Sequence, residues 1–168
     1  RDLLIREDLC AEAVRLTKLM TNHPTVCHPD VHALHGMICF HSARLDSKLN
    51  EKGEAISLKD QDRSLWNKEL IFLGSASMHE AMKTDQFSSY HYEAAIASEH
   101  VLATSFESTN WNNILKWYEK LDELKPSIMN QLSIATICLQ IKDFERTNSI
   151  LSDIQPSMLE QRAYLFHG

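Results

Sequence analysis

Apolar residues recur at helical spacing along almost the whole chain. The clearest series are Leu9, Ala13, Leu16 and Met20, and then Ile128, Leu132, Ala135 and Leu139. Steps of three and four residues place side chains on one face of an α-helix. Glycine and proline, which interrupt helices, number only four each among 168 residues. The sequence therefore predicts an all-α fold built from long helices.

Turn signals divide these series into about eight helices. The first helix is separated from the second by His23-Pro24 and His28-Pro29, and Pro29 suits a first helical turn. Residues 55–58 alternate like a short extended segment. The third helix is then expected from near Asp62 to about residue 83, the fourth over about 90–104 and the fifth over about 111–124. The eighth helix follows Pro156, with a capping box formed by Ser157 and Glu160.

The last four helices are expected to form two antiparallel hairpins, over residues 111–139 and 144–166. Their starts are 33 residues apart, close to the ~34-residue period of tetratricopeptide repeats. Lys142-Asp143-Phe144-Glu145 resembles the Gly-Asp-Tyr-Glu turn of that repeat. We therefore predict a helical bundle over residues 1–105 and a tetratricopeptide-like right-handed superhelix over residues 106–168, together forming one continuous domain.

The net charge, the cysteine spacing and the motifs limit the classes of function that the sequence supports. The formal net charge is −6, from 17 basic and 23 acidic residues, which disfavours a nucleic-acid-binding surface. No apolar run approaches ~18 residues, so no membrane-spanning helix is expected. Four scattered cysteines without a CxxC pair or a secretory leader favour a cytoplasmic location. Nucleotide-binding glycine loops and the GxSxG motif are absent from the sequence, and nothing in it points to a Ser/His/Asp triad or to a cofactor.

Histidines and cysteines are concentrated between residues 23 and 41. His28, His32 and His35 fall at i, i+4 and i+7, a spacing that can hold zinc or another transition metal. No carboxylate is embedded among them as in the HExxH motif, and the cysteine spacing fits no standard zinc module. We therefore expect packing and surface roles and no bound metal, with a metal-dependent sensor as the alternative.

The densest polar stretch is Asp60-Gln61-Asp62-Arg63-Ser64-Leu65-Trp66. An aspartate beside Arg63 could act as an acid or base. The favoured interpretation is structural: Asp62 caps the third helix, Arg63 pairs with a nearby carboxylate and Trp66 anchors the core. These residues could also form an intramolecular clamp that holds the preceding loop.

Several stretches together resemble the C-terminal, tetratricopeptide-like helical domain of a group of bacterial extracytoplasmic-function RNA polymerase sigma factors. In order, they are Arg6-Glu7-Asp8-Leu9-Cys10-Ala11-Glu12-Ala13-Val14-Arg15-Leu16, His41-Ser42-Ala43-Arg44, Leu58-Lys59-Asp60-Gln61-Asp62-Arg63-Ser64-Leu65-Trp66, Tyr90, Glu93-Ala94-Ala95-Ile96-Ala97 with His100, and Thr109-Asn110-Trp111. The third is the most specific, and the resemblance extends from residue 1 to about 166. Ser42 and Asn110 stand where aspartate is usual, and Gln131-Leu132 replaces an Asn-Arg pair.

The resemblance implies a non-catalytic regulatory and protein-interaction domain that acts in transcription initiation without touching DNA. Its partners would be core RNA polymerase and the sigma regions of the same polypeptide, which would lie N-terminal to Arg1, or a protein or peptide regulator. The residues expected on the interaction surface are Asp60, Gln61, Asp62, Arg63, Trp66, His41, Arg44, Tyr90 and Trp111. The alternative is a stand-alone tetratricopeptide-like scaffold whose groove binds a peptide.

Overall fold

The computed structural model describes residues 7–154, which contain seven α-helices. They are α1 (Glu7–Thr21), α2 (Pro29–Ser42), α3 (Lys68–Ala81), α4 (Ser89–Leu102), α5 (Trp111–Leu124), α6 (Ile128–Gln140) and α7 (Phe144–Asp153). No strand is present between residues 7 and 154, and the predicted all-α class is confirmed. The predicted eighth helix, with Ser157 and Glu160, lies outside the described residues.

The third helix begins later than the sequence predicts. Helix α3 starts at Lys68, because the Asn67 side chain accepts a hydrogen bond from the Leu70 amide at 3.0 Å. Asp62, the predicted cap, instead accepts a hydrogen bond from the Ser64 amide at 2.9 Å and begins a single 3₁₀ turn. Asp62 and Asn67 both act as N-cap residues in the structure, and only Asn67 starts the α-helix.

Residues 43–66 connect α2 to α3 and pass through a short hairpin. Leu49 and Ala55 form an isolated antiparallel bridge, which lies where the sequence predicts an extended segment. Gly53 has a φ of 79° in the turn between them. Glycine adopts this left-handed conformation without steric cost. The connection is therefore ordered before the chain reaches the polar stretch.

The described chain divides into two compact units, which meet in sequence between Asn110 and Trp111. In the first unit, α2 packs against α1, α3 and α4. In the second unit, α6 packs against α5 and α7, and three-residue connections make these neighbours antiparallel. The boundary after residue 105, the single continuous domain and the right-handed superhelix stay predictions. No helix in the described part of the chain is long and apolar enough to cross a membrane.

Helices α2 and α3 approach each other closely at two glycines. A Cβ atom on Gly74 would lie 2.6 Å from the ring of the fully buried Phe40. A Cβ atom on Gly36 would lie 3.2 Å from the carbonyl oxygen of Gly74. The absence of side chains at this crossing lets Phe40 enter the core, where it packs with Trp66 and residues of α4.

Helix α1 packs through a different face from the one that its apolar spacing predicts. Leu9 and Leu16 of the predicted face are 57% and 46% exposed. Thr17 and Thr21 are buried instead, and the Thr17 hydroxyl lies 2.8 Å from Nδ1 of His35 on α2. The apolar spacing predicts the helix correctly, but a polar contact with α2 lies on the side that faces the core.

Candidate interaction site

The predicted site residues of the α2–α3 connection converge on Trp66. The indole is 4% exposed, and its Nε1 donates a hydrogen bond to the Ser47 hydroxyl at 2.8 Å. The guanidinium carbons of Arg63 and Arg44 lie 4.4 and 5.6 Å from the ring centroid, within the range of cation–π attraction. The prediction that Trp66 anchors the core is confirmed.

Gln61 attaches the polar stretch to the end of α2. Its Oε1 accepts hydrogen bonds from Nε and Nη2 of Arg44, both at 3.1 Å, and from the Ser47 hydroxyl at 3.4 Å. Its Nε2 donates to the Ile56 carbonyl oxygen at 3.1 Å. Gln61 is buried, so these bonds satisfy polar atoms that have lost contact with water.

Arg63 attaches the same stretch to the end of α4. Its Nη1 donates to the carbonyl oxygens of His100 and Ala103 at 2.7 and 2.9 Å. The prediction that Arg63 pairs with a carboxylate is wrong, because the carbonyl groups at a helix C-terminus lack intrahelical donors and accept its hydrogen bonds. We call the four side chains of Arg44, Gln61, Arg63 and Trp66 the arginine–tryptophan clamp.

The two aspartates of the stretch face solvent. Asp60 accepts a hydrogen bond from the Ser57 hydroxyl at 2.6 Å. Asp62 accepts from the Ser64 hydroxyl and amide at 2.7 and 2.9 Å, and these bonds lower the pKa of its carboxyl group. The five residues predicted to share one surface are therefore divided: the aspartates are exposed, whereas Gln61 and Trp66 are buried and Arg63 is half-buried.

The other predicted interaction residues lie at three different places. His41 is exposed in the last turn of α2, three residues before Arg44. Tyr90 is in the first turn of α4, about 15 Å along the helix from His100. Trp111 is the first residue of α5 and belongs to the second unit. Within the first unit, the structure places His41 beside the clamp and Tyr90 away from it.

The charged side chains of the clamp, Arg44 and Arg63, are both positive. Burial lowers the pKa of Arg44, and the charge of Arg63 lowers it further. Burial also lowers the pKa of His100 to about 4, with further contributions from Arg44 and Arg63. His100 is therefore neutral at pH 7, and the positive charge resides on Arg44, Arg63 and the nearby Lys48.

The three histidines with metal-ligand spacing make separate contacts. Nδ1 of His28 accepts a hydrogen bond from a backbone amide and caps α2. Nε2 of His32 lies 3.3 Å from the thiol of Cys27. His35 is buried against Thr17, and burial lowers its pKa. No group of three metal-ligating side chains occurs within residues 7–154.

Sequence reasoning missed two partners of the clamp. Ser47 accepts the indole hydrogen bond of Trp66 and also donates to the Arg44 carbonyl oxygen at 2.9 Å. A single serine in a connecting segment belongs to no pattern that could reveal this role. The carbonyl acceptors of Arg63 lie 37 and 40 residues further along the chain. Every residue has a backbone carbonyl group, so the sequence does not show which of them accepts a hydrogen bond.

The fold and the clamp define an all-α domain in which a polar connection is fastened to two helix ends. Residues 1–82 match DUF6596, a family of unknown function, and all four clamp residues fall inside this match. An uncharacterized protein of Rhizobium meliloti (strain 1021) is 29% identical over 166 residues, which cover 98% of this chain and 38% of that protein. The chain thus spans about two fifths of this relative. No solved structure matches the chain.

Proposed function

We propose that the chain is the non-catalytic C-terminal regulatory domain of an extracytoplasmic-function RNA polymerase sigma factor and acts in transcription initiation through protein contacts. One observation supports this most strongly. Three separate stretches that carry the sigma-factor resemblance meet at the clamp, since Gln61 binds Arg44 and Arg63 binds the His100 carbonyl group. Stretches that resemble one family in sequence thus depend on one another in space.

The partners in this proposal are the sigma regions of the same polypeptide and core RNA polymerase, with a protein or peptide regulator as a further partner. The relative is long enough to hold such regions, because this chain covers 38% of its length. Transcription places the protein in the bacterial cytoplasm. The domain would act by packing on its partners, not by contacting DNA, in keeping with its net charge of −6.

The clamp gives this function a physical basis. It fixes the connection between α2 and α3 to the ends of α2 and α4. The fixed connection presents Asp60 and Asp62 to solvent, and a preorganised surface loses less conformational entropy on binding. We therefore assign Asp60, Asp62 and His41 to the contact surface and Gln61, Arg63 and Trp66 to its support.

Two experiments test the proposal. The coding sequence that precedes the codon of Arg1 should encode sigma regions, and their absence would overturn it. Run-off transcription from a cognate promoter then compares the full-length gene product with a form that ends before Arg1, with the 168-residue chain added back in trans. We expect truncation to change transcript yield and the added chain to reverse the change. Equal yields in all three reactions would refute a role in initiation.

A stand-alone peptide-binding scaffold is the second candidate, and a groove in the second unit favours it. The groove has a volume of about 520 Å³. It is lined by Glu119, Asp122, Glu123, Gln131, Ile134, Arg146 and Ile150. Selection from a peptide library, followed by loss of binding in an Ile150→Lys variant that circular dichroism shows to be folded, would support this candidate. The third alternative, a metal sensor built on His28, His32 and His35, has no support from their separate contacts.

A further inference from the structure

Three cationic side chains cluster at the clamp, and none of them hydrogen-bonds to a carboxylate among the described residues. Arg44 and Arg63 donate their hydrogen bonds to neutral oxygens. Lys48 is half-buried, and after burial the charge of Arg44 is the main influence that lowers its pKa. Among the described residues, none of the three forms an ion pair. This arrangement is unusual in a chain whose net charge is −6.

The surrounding structure offsets only part of this charge. A helix C-terminus carries roughly half a negative charge, and both α2 and α4 end at the clamp. Burial lowers the pKa of Arg63, while the charge of Glu107 raises it. Positive charge that is partly buried costs free energy, and a bound anion would recover part of this cost.

The accessible side of the cluster lies at the end of α2. Arg44 directs Nε and Nη2 toward Gln61, and its Nη1 makes no hydrogen bond within the described part of the chain. His41, in the last turn of α2, precedes Arg44 by three residues, and Lys48 follows Arg44 by four residues. Burial and the charges of Lys48 and Arg44 lower the pKa of His41 to about 4, so its imidazole is neutral at pH 7. Arg63 is held by two carbonyl oxygens and by Trp66, so its charge is fixed behind this side.

We propose that His41, Arg44 and Lys48 form a binding site for a carboxylate group presented by an acidic protein segment, with Arg63 as a fixed charge behind it. A guanidinium group binds a carboxylate through short, charge-assisted hydrogen bonds. A nucleic acid would need a longer cationic track than three residues in an acidic protein provide. This site can be tested with a peptide and without polymerase. A negative binding result is therefore distinguishable from a negative transcription result.

The test measures fluorescence anisotropy of a fluorescein-labelled hexaglutamate peptide titrated with the whole chain at low salt. We expect saturable binding that weakens about tenfold in Arg44→Gln, which removes a charged donor. Lys48→Gln removes a charge without touching the Gln61 contact and should weaken binding about threefold. Arg15→Gln is the matched control, because Arg15 pairs with Glu12 on the exposed face of α1. It should change the affinity less than twofold.

Four results would overturn the proposal. They are absence of hexaglutamate binding to the wild-type chain, equal binding of a hexaglutamine peptide, equal weakening by Arg15→Gln, and tighter binding of a single-stranded oligonucleotide. Circular dichroism checks the fold of each variant. If Arg44→Gln does not fold, the test uses Lys48→Gln and His41→Ala instead, and both should bind hexaglutamate more weakly than the wild-type chain. The Trp66 indole N–H signal in ¹⁵N spectra should shift during the titration if the peptide binds at the clamp, and an unchanged signal would place binding elsewhere.

Discussion

At the scale of single residues, Arg63 joins three parts of the first unit through one planar group. It donates to two carbonyl oxygens at the end of α4 and covers the ring of Trp66 from 4.4 Å. Hydrogen bonds to a charged group contribute about 1.5–3 kcal/mol, and a cation–π contact adds about 1 kcal/mol. Lysine can supply the charge, but it lacks the planar guanidinium group that donates to the carbonyl oxygens and also stacks on the Trp66 ring.

Arg63→Met should therefore lower the free energy of unfolding by about 3 kcal/mol. Methionine keeps much of the side-chain volume but removes the hydrogen bonds from Arg63 to the carbonyl groups of His100 and Ala103. Urea unfolding monitored by circular dichroism measures the change. Arg63→Lys should lose less, and Arg15→Met, at an exposed i, i+3 ion pair, should lose less than about 0.5 kcal/mol. Equal losses in Arg63→Met and Arg15→Met would refute a supporting role for Arg63.

His100 makes the stability of the first unit depend on pH. Burial and two neighbouring arginines lower its pKa from 6.5 to about 4. The unfolded chain therefore binds more protons than the folded chain between these values, and stability falls as the pH is lowered through that window. We expect a loss of about 3 kcal/mol from this group across the window. Urea unfolding at several pH values should show that the free energy of unfolding depends less on pH in His100→Gln than in the wild-type chain.

At the scale of elements, the α2–α3 crossing depends on the missing side chain at Gly74. A methyl group there would lie 2.6 Å from the Phe40 ring, and a fully buried ring has little room to move. Alanine favours the helix by about 1 kcal/mol, but overpacking costs about 1–3 kcal/mol. The packing effect should therefore exceed the helix propensity.

Gly74→Ala is thus expected to destabilise the chain by about 1–2 kcal/mol in thermal or urea unfolding. Gly36→Ala is the matched comparison, because its nearest neighbour is the flexible side chain of Met78 at 3.1 Å; its cost should be smaller. Phe40→Leu should cost less in the Gly74→Ala background than alone. A stabilising effect of Gly74→Ala would show that the helices can separate without loss.

The same elements show what the sequence can and cannot predict. Helices α4 and α5 begin near their predicted starts, because periodicity and capping are local properties. The start of α3 and the buried face of α1 were predicted wrongly, because both depend on contacts with other helices. Likewise, the core position of Trp66 followed from its size and spacing. The carbonyl partners of Arg63 did not, since the fold brings them together across 37 and 40 residues.

At the scale of the whole molecule, the contacts that hold the clamp lie inside the first unit. Phe40, Trp66, Ala97 and Val101 form a buried cluster, and the last acceptor of Arg63 is Ala103. The unit ends at Asn110. A chain of this length can bury enough apolar surface to fold alone. The second unit is about half as long and has a correspondingly smaller core.

A fragment of residues 1–110 should therefore fold cooperatively with the clamp intact. Trp66 is the one tryptophan in this fragment, so its emission reports the clamp directly: it should be blue-shifted in the folded fragment and move to longer wavelength in urea. The matched control is a fragment of residues 1–98, which keeps Trp66 but removes Val101 and both carbonyl acceptors of Arg63. We expect solvent-exposed emission and no cooperative transition from this shorter fragment. If both fragments unfold cooperatively with the same midpoint, the end of α4 contributes nothing to holding Trp66. If neither folds, the first unit depends on residues beyond 110, and the internal contacts of the clamp are insufficient to maintain it.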